Sequence, residues 1–139
     1  MTIAEGDRIP EMTLKTNGAN GPEDIATADI FNGKKVVLFA VPGAFTPGCS
    51  NTHMPGFVVK ADEIKQKGVD EIVCTAVNDA FVMDAWQKDQ NADAITMLAD
   101  GNADFAKALG LDMDASGGGM GTRSKRYALI VNDGVVEYV

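Results

Sequence analysis

The sequence predicts an α/β domain in which a mixed β-sheet is flanked by helices. Runs rich in valine and isoleucine are typical of buried strands, and helical patterns lie between them. Strands that alternate with helices favour a layered architecture. The pair Asp133-Gly134 is a hairpin-turn signal near the end of the chain, so the sheet is expected to be mixed rather than wholly parallel. The predicted strands are residues 35–41, 72–77, 95–98 and 126–131, followed by a last strand after the turn.

Three stretches between the strands have apolar residues at helical spacing. They are residues 54–64, 81–86 and 105–109. Asn78 and Asp79 are both candidates for the N-cap of the second helix, because short polar side chains accept hydrogen bonds from free helical N–H groups. The glycine-rich segment 114–122 is expected to be a loop and lacks a phosphate-loop pattern. The polar segment 16–24 is interpreted as a surface turn.

Length and composition favour one globular domain over residues 1–139, with 45% hydrophobic and 23% charged residues. A net charge of −8 argues against nucleic acid as the main partner. No apolar run reaches the roughly 18 residues of a membrane span, and no secretory signal is visible at the N-terminus. Two cysteines are too few for a disulfide scaffold, which favours a reducing, cytoplasmic location.

The stretch VPGAFTPGCSNTHMPGF, residues 41–57, contains the first candidate for chemistry. Pro42 and Gly43 end the preceding strand, and Pro47 suits the first turn of a helix. Cys49 is therefore expected in that first turn, where free N–H groups and the helix dipole favour a thiolate. A buried structural thiol is the alternative, although a core cysteine does not need this strand-breaking, helix-starting frame.

These residues carry a family likeness. Pro42, Thr46 and Cys49 form Pro-x-x-x-Thr-x-x-Cys, which resembles the active-site motif of peroxiredoxins. The longer string resembles the type-5 group of that family, called type II in plants. Residues 68–86 resemble the second strand and helix of the group, and residues 119–134 resemble its arginine-bearing segment. The likeness covers nearly the whole chain.

The resemblance implies a thioredoxin-like fold and thiol peroxidase activity on hydrogen peroxide or organic hydroperoxides. Cys49 matches the peroxidatic cysteine, and Arg126 matches an arginine that donates to the thiolate and the developing oxyanion. Thr46 would hold the peroxide through its hydroxyl, and Pro42 would shield the thiolate from water. Alternation along the strand is expected to turn Arg126 inward and Lys125 the other way.

The remaining site residues follow from the same resemblance. Pro47 and Gly48 would contribute backbone to peroxide binding, and Met120 would line the mouth of the pocket. Arg123 is expected to support the site. His53 is interpreted as a packing and hydrogen-bonding residue. Neither a metal nor a cofactor is expected.

Turnover requires a thiol that reduces the sulfenic acid formed on Cys49. Cys74 lies mid-strand and is expected to be a buried core residue, so glutathione with glutaredoxin, or thioredoxin, is the expected reductant. Group members usually continue beyond the final hairpin, so the resemblance implies a chain truncated after Val139. It also implies a homodimer, for which apolar side chains around Phe45 and Phe81 are suitable contacts.

Three other functions and a metal site are alternatives to this interpretation. A dithiol-disulfide oxidoreductase normally uses Cys-x-x-Cys, whereas Thr46 stands three residues before Cys49. A peroxide-sensing relay module would keep the same cysteine and pass its oxidation to a partner protein. Cys49 and His53 could also form an acyl-transfer pair. A zinc site is disfavoured, because adding Cys74 to that pair gives only three soft ligands and a structural site needs four.

Overall fold

The computed structural model describes residues 2–18, 21–46 and 54–139. The helices in these residues are α1 (Thr27–Phe31), α2 (Met54–Gln66), α3 (Ala80–Asp89) and α4 (Asp104–Leu109). The strands are β1 (Thr13–Gly18), β2 (Gly21–Ala26), β3 (Lys35–Ala40), β4 (Glu71–Ala76), β5 (Thr96–Ala99), β6 (Asp112–Asp114), β7 (Thr122–Ser124), β8 (Tyr127–Asn132) and β9 (Val135–Tyr138).

The described strands form a seven-stranded mixed sheet in the order β2-β1-β5-β4-β3-β8-β9, and β6 pairs separately with β7. Strands β5, β4 and β3 are parallel neighbours, whereas β8 is antiparallel to β3 and β9 to β8. The predicted α/β class and mixed sheet are therefore confirmed. The final hairpin turns at Asp133-Gly134, whose φ angles of 48° and 79° suit the tight turn that this pair predicts.

The centre of the sheet is buried on both faces, because β3 and β4 are almost wholly apolar. Helices α2 and α3 cover one face, and α1 and α4 cover the other. The α2 face buries Phe39, Cys74, Met83, Trp86 and Met97. The α4 face buries Leu38, Val73, Phe105, Leu109 and Leu129.

The interpretation of residues 16–24 as a surface turn is wrong for most of the segment. Residues 16–18 complete β1 and residues 21–24 begin β2, with Gly18 paired to Gly21. Strand β2 lies at the edge of the sheet and is mostly exposed, so its sequence GPEDIA shows no alternation of apolar and polar residues. Hydrogen bonding to β1, which no local pattern reveals, makes this segment a strand.

The predicted loop 114–122 is shorter than expected, because both of its ends belong to strands. Asp114 pairs with Thr122 in the β6–β7 hairpin, and residues Ser116–Gly118 form a 3-10 turn between them. Gly119 and Gly121 have φ angles of 74° and 66°, which lie in the left-handed region that glycine adopts without strain. These two glycines therefore serve the backbone conformation of the hairpin. This agrees with the absence of a phosphate-loop pattern in the segment.

The structure identifies the residues that cap the start of α3 and the end of α4. Of the two candidates for α3, Asp79 is the cap, since its side chain accepts a hydrogen bond from the Val82 N–H at 2.8 Å. Helix α4 ends at Gly110, whose φ is 72°. In the described part of the chain, every helix is too short or too polar to cross a lipid bilayer.

Candidate active site

The chain leaves β3 through a closed turn over residues 41–46. The Val41 N–H donates to the Thr75 carbonyl at 3.2 Å, so the turn begins at the carboxyl edge of the sheet. The Thr46 hydroxyl donates to the Gly43 carbonyl at 2.7 Å and closes the turn. Phe45 adopts a φ of 64°, an uncommon conformation for a bulky side chain, and half of its surface is exposed.

Arg123 connects this turn to the β6–β7 hairpin. Its Nη1 donates to the Pro42 carbonyl at 3.3 Å, and its Nε donates to the Met120 carbonyl at 3.0 Å. The side chain is half-buried, so its stem packs while the guanidinium reaches the turn. The supporting role predicted for Arg123 therefore has a structural basis: it holds the backbone of the predicted motif.

Gly43 is the point at which three side chains meet. A Cβ at this position would lie 2.9 Å from the Arg123 Nη1, 3.1 Å from the Thr46 Cγ2 and 3.6 Å from the Met120 Cε. The first two distances are shorter than ordinary carbon contacts. Glycine at this position therefore lets the Arg123 guanidinium and the Thr46 methyl group lie close to the backbone of the turn. Thr46, Met120 and Arg123 are brought together around it, whereas the sequence places them in two segments.

Asn78 is a site residue whose role sequence reasoning missed. Its Oδ1 accepts a hydrogen bond from the Ala44 N–H at 2.9 Å, which fixes the second half of the turn. The sequence indicates Asn78 only as a candidate helix cap. A signal was available: β3 and β4 are parallel neighbours, so residues that follow their carboxyl ends lie at the same edge of the sheet.

Arg126 lies immediately before β8. Tyr127 pairs with Ala40, and continuing this register by one residue sets Arg126 opposite Val41, beside the start of the turn. Ala128, two residues on, pairs with Phe39 on the α2 face, so alternation places Arg126 on that face too. The residue is exposed at this edge of the sheet. Lys125 is exposed as well.

A buried polar cluster lies behind the turn, on the α4 face of the sheet. The carboxylate of Asp100 accepts hydrogen bonds from the N–H groups of Phe105 and Ala106 at 3.0 and 2.9 Å. Burial raises the pKa of Asp100 above its usual range, and these two bonds oppose the rise. Burial also raises the pKa of Tyr127, and the nearby Asp100 and Cys74 raise it further. The cluster joins β5, α4 and the start of β8.

Four predicted site residues, Pro47, Gly48, Cys49 and His53, lie outside the described residues. Cys74 is fully buried in β4, between its register partners Phe39 and Met97, as predicted for a core residue. Within residues 2–18, 21–46 and 54–139, no group of three or more His, Cys, Asp or Glu side chains is arranged to hold a metal ion.

Helix α2 is fixed by contacts that follow the motif. Met54, its first described residue, is fully buried, and the ring of Phe57 stacks on Phe39 at a centroid distance of 3.9 Å and an interplanar angle of 3°. Because Phe39 belongs to β3, this stack fixes the helix directly to the strand that leads into the turn. Thr46 and Met54 are thus held on one rigid frame of strand and helix.

Comparisons with known proteins identify the family. A model of the Redoxin family matches residues 4–139. Peroxiredoxin-2E-2, chloroplastic, from Oryza sativa subsp. japonica is 51% identical over 98% of this chain and 63% of its own length. Peroxiredoxin-2B from Arabidopsis thaliana is 47% identical over 94% of this chain and 82% of its own length. A crystal structure of reduced Prx3 from Vibrio vulnificus in complex with H2O2 is 54% identical, with a TM-score of 0.94 over 98% of this chain and 85% of that one.

These matches confirm the resemblance to the plant type II group and the thioredoxin-like fold that it implied. The chain spans 63% of the length of the rice relative and 60% of Peroxiredoxin-2E from Arabidopsis thaliana, so those relatives contain further sequence. With a family model over residues 4–139 and relatives of about half identity, the chain belongs to the peroxiredoxin family.

Proposed function

We propose that this chain is a thiol-dependent peroxidase that reduces hydrogen peroxide and organic hydroperoxides through the thiolate of Cys49. The observation that carries the proposal is the closed turn at the sheet edge. Arg123 bonds the backbone of Pro42, Asn78 bonds that of Ala44, and Thr46 of the peroxiredoxin motif bonds the Gly43 carbonyl. The likeness to a Vibrio vulnificus protein that was crystallised with H2O2 supports the choice of substrate.

The proposed reaction begins when the Cys49 sulfur attacks one oxygen of the hydroperoxide. A sulfur–oxygen bond forms, the oxygen–oxygen bond breaks, and the departing hydroxide or alkoxide takes up a proton. The products are a sulfenic acid on Cys49 and water or an alcohol. Arg126, at the surface beside Val41, is assigned the donors that stabilise the charge on the departing oxygen.

The hydrogen bond of Thr46 gives its side chain a defined part in this reaction. A threonine hydroxyl has one proton, and here that proton is donated to the Gly43 carbonyl. The lone pairs of the oxygen are left to accept a hydrogen bond from the O–H of the peroxide. Thr46 therefore orients the substrate as an acceptor, and the donors to the breaking bond come from Arg126 and from backbone N–H groups.

An external thiol is proposed to reduce the sulfenic acid, either glutathione with glutaredoxin or thioredoxin. Cys74 is fully buried in the middle of β4, which disfavours it as an internal partner. A reducing compartment such as the cytoplasm fits this cycle and the presence of only two cysteines in the sequence.

Oxidation and turnover should both depend on Cys49 and on no other cysteine. We expect Cys49→Ser to retain less than about a thousandth of the peroxidase rate, because serine is not a thiolate nucleophile. Cys74→Ala, the matched control, should keep turnover within about threefold, since it replaces a small buried side chain. Stopped-flow oxidation by hydrogen peroxide, followed by turnover with each reductant, measures both steps.

The outcomes of this experiment separate the alternatives. Oxidation of Cys49 no faster than that of free cysteine would refute peroxide chemistry at this site. Fast oxidation without turnover by glutaredoxin or thioredoxin would favour a peroxide-sensing relay module. Normal oxidation with blocked turnover in Cys74→Ala would instead assign the resolving step to Cys74.

We also propose a homodimer that forms through the face containing Phe45 and Phe81. These rings are 50% and 67% exposed. The Ala44–Asn78 hydrogen bond places the turn next to the start of α3, so both aromatic side chains lie at the same edge of the molecule. Exposed aromatic side chains are enriched in interfaces and supply much of their binding energy.

Sedimentation equilibrium is expected to give a dimer whose dissociation constant rises at least about thirtyfold in Phe81→Asp, because a buried anchor becomes a charge. Val59→Asp is the matched control, since Val59 is 81% exposed and belongs to α2 rather than to the turn or to α3. A monomeric wild-type chain, or equal weakening by both substitutions, would contradict the proposed interface.

A further inference from the structure

Met120 differs from the other methionines of the described chain in where its side chain lies. Met54, Met83 and Met97 are buried in the core, whereas Met12, Met113 and Met120 are half-buried. Among these three accessible thioethers, Met120 is the one that packs against the active-site turn, with its Cε 3.6 Å from the position of a Gly43 Cβ. An accessible thioether is readily oxidised by peroxide.

The groups around Met120 favour that oxidation. The Arg123 Nη1 lies 2.9 Å from the same Gly43 point, and the Thr46 Cγ2 lies 3.1 Å from it. The guanidinium of Arg123, the methyl of Thr46 and the Cε of Met120 thus lie around one point of the turn. The threonine oxygen can accept from a peroxide O–H, and the guanidinium can donate to the oxygen that departs.

We propose that the thioether of Met120 is a second group that the hydroperoxide oxidises. Its reversible conversion to the sulfoxide lowers the peroxidase rate, because the sulfoxide disturbs the neighbouring turn. The inference rests on the proposed function in so far as that function brings hydroperoxide to this turn. The sulfur lone pair attacks the terminal oxygen of the peroxide. A sulfur–oxygen bond forms while the oxygen–oxygen bond breaks, and the proton of the transferred oxygen passes to the departing hydroxide or alkoxide.

The balance is one methionine sulfoxide and one water or alcohol for each hydroperoxide consumed. Sulfur loses two electrons and the peroxide bond gains them, so no further reactant is needed. The product replaces an apolar thioether with a strong hydrogen-bond acceptor beside Arg123. That acceptor competes with the Pro42 carbonyl, whose bond to Nη1 is long at 3.3 Å. Loss of this bond frees the start of the turn that positions Thr46.

Peptide mass spectrometry after graded hydrogen peroxide tests the site directly. The sulfoxide of Met120 should form about tenfold faster than that of Met12, which is also half-buried but packs beside the core on the α4 face. The same measurement in Cys49→Ser, which should consume no peroxide catalytically, should give the same preference. The site is thereby tested even if the peroxidase proposal fails. Equal rates at the two methionines would overturn the proposal.

Enzymatic repair tests the functional consequence. Peroxide-treated protein is first reduced with dithiothreitol, which returns sulfenic acid to thiol, and is then incubated with methionine sulfoxide reductases. Recovery of the rate in the second step should be about threefold in wild type and in Met12→Leu, and absent in Met120→Leu whatever its starting rate. Overoxidised cysteine is not restored by these reductases, so an absence of recovery in wild type would refute the regulatory role.

Discussion

Replacement of Arg126 by glutamine is expected to lower kcat/KM for hydrogen peroxide by about a hundredfold to a thousandfold, the usual effect of removing a donor to a developing oxyanion. The register of β3 and β8 sets Arg126 opposite Val41, on the α2 face and beside the turn with Thr46. Glutamine keeps a donor but loses the positive charge and the planar fork of the guanidinium. Stopped-flow oxidation of Cys49 over a range of peroxide concentrations measures the effect.

The neighbouring residue supplies the control for this substitution. Lys125 is also exposed and cationic, but it precedes Arg126 and alternates away from the α2 face. Lys125→Gln removes the same charge from the same segment and should change kcat/KM by no more than about threefold, since exposed charges act weakly across solvent. Equal losses in the two variants would reduce the role of Arg126 to a general effect of positive charge near the thiolate.

Replacement of Asp100 by alanine is expected to destabilise the fold by about 2–4 kcal/mol, because it leaves two buried N–H groups without an acceptor. Those groups belong to Phe105 and Ala106 at the start of α4. Lys107→Gln is the matched control, since Lys107 lies in the same helix but is exposed. Urea denaturation should show a change near zero for the control. Loss of about 2 kcal/mol in both variants would contradict an effect of burial.

The pH dependence of this contribution follows from the raised pKa of Asp100. Burial makes the folded chain hold the proton to a higher pH than the unfolded chain, in which the carboxyl has its ordinary pKa of 3.8. The stabilisation from protonation is complete below pH 3.8 and is lost as pH rises through the folded pKa. Above the folded pKa, titration of Asp100 no longer changes the free energy of unfolding. Asp100→Asn does not titrate at this position and serves as the reference. Relative to it, the free energy of unfolding of wild type should fall as pH rises from 3.8 through the folded pKa of Asp100. A relative gain with rising pH would contradict the raised pKa.

Much of the fold follows from local patterns, and the exceptions share one physical cause. The runs that became β3, β4, β5 and β8 are apolar because they lie in the centre of the sheet, so their composition alone predicts them. Strand β2 is polar and exposed at the edge, and β6 and β7 have three residues each. These elements are strands because of the partners with which they pair, and pairing between segments leaves little trace in either sequence.

By itself, the sequence determined the motif of Pro42, Thr46 and Cys49 and the family to which the chain belongs. It also determined that Cys74 is a core residue, because a cysteine amid apolar strand residues has only the interior to occupy. Both conclusions depend only on residue types and on neighbours along the chain, which can be read directly from the sequence.

Only the tertiary structure decided which side chains hold the turn. Arg123 reaches Pro42 across 81 positions of the chain, and Asn78 reaches Ala44 across 34. The first contact exists because the β6–β7 hairpin, which pairs apart from the main sheet, brings Arg123 to the turn. The second exists because β4 lies beside β3 in that sheet. The order of strands in a sheet depends on the whole chain. The sequence of a turn therefore does not determine which distant segments pack against it.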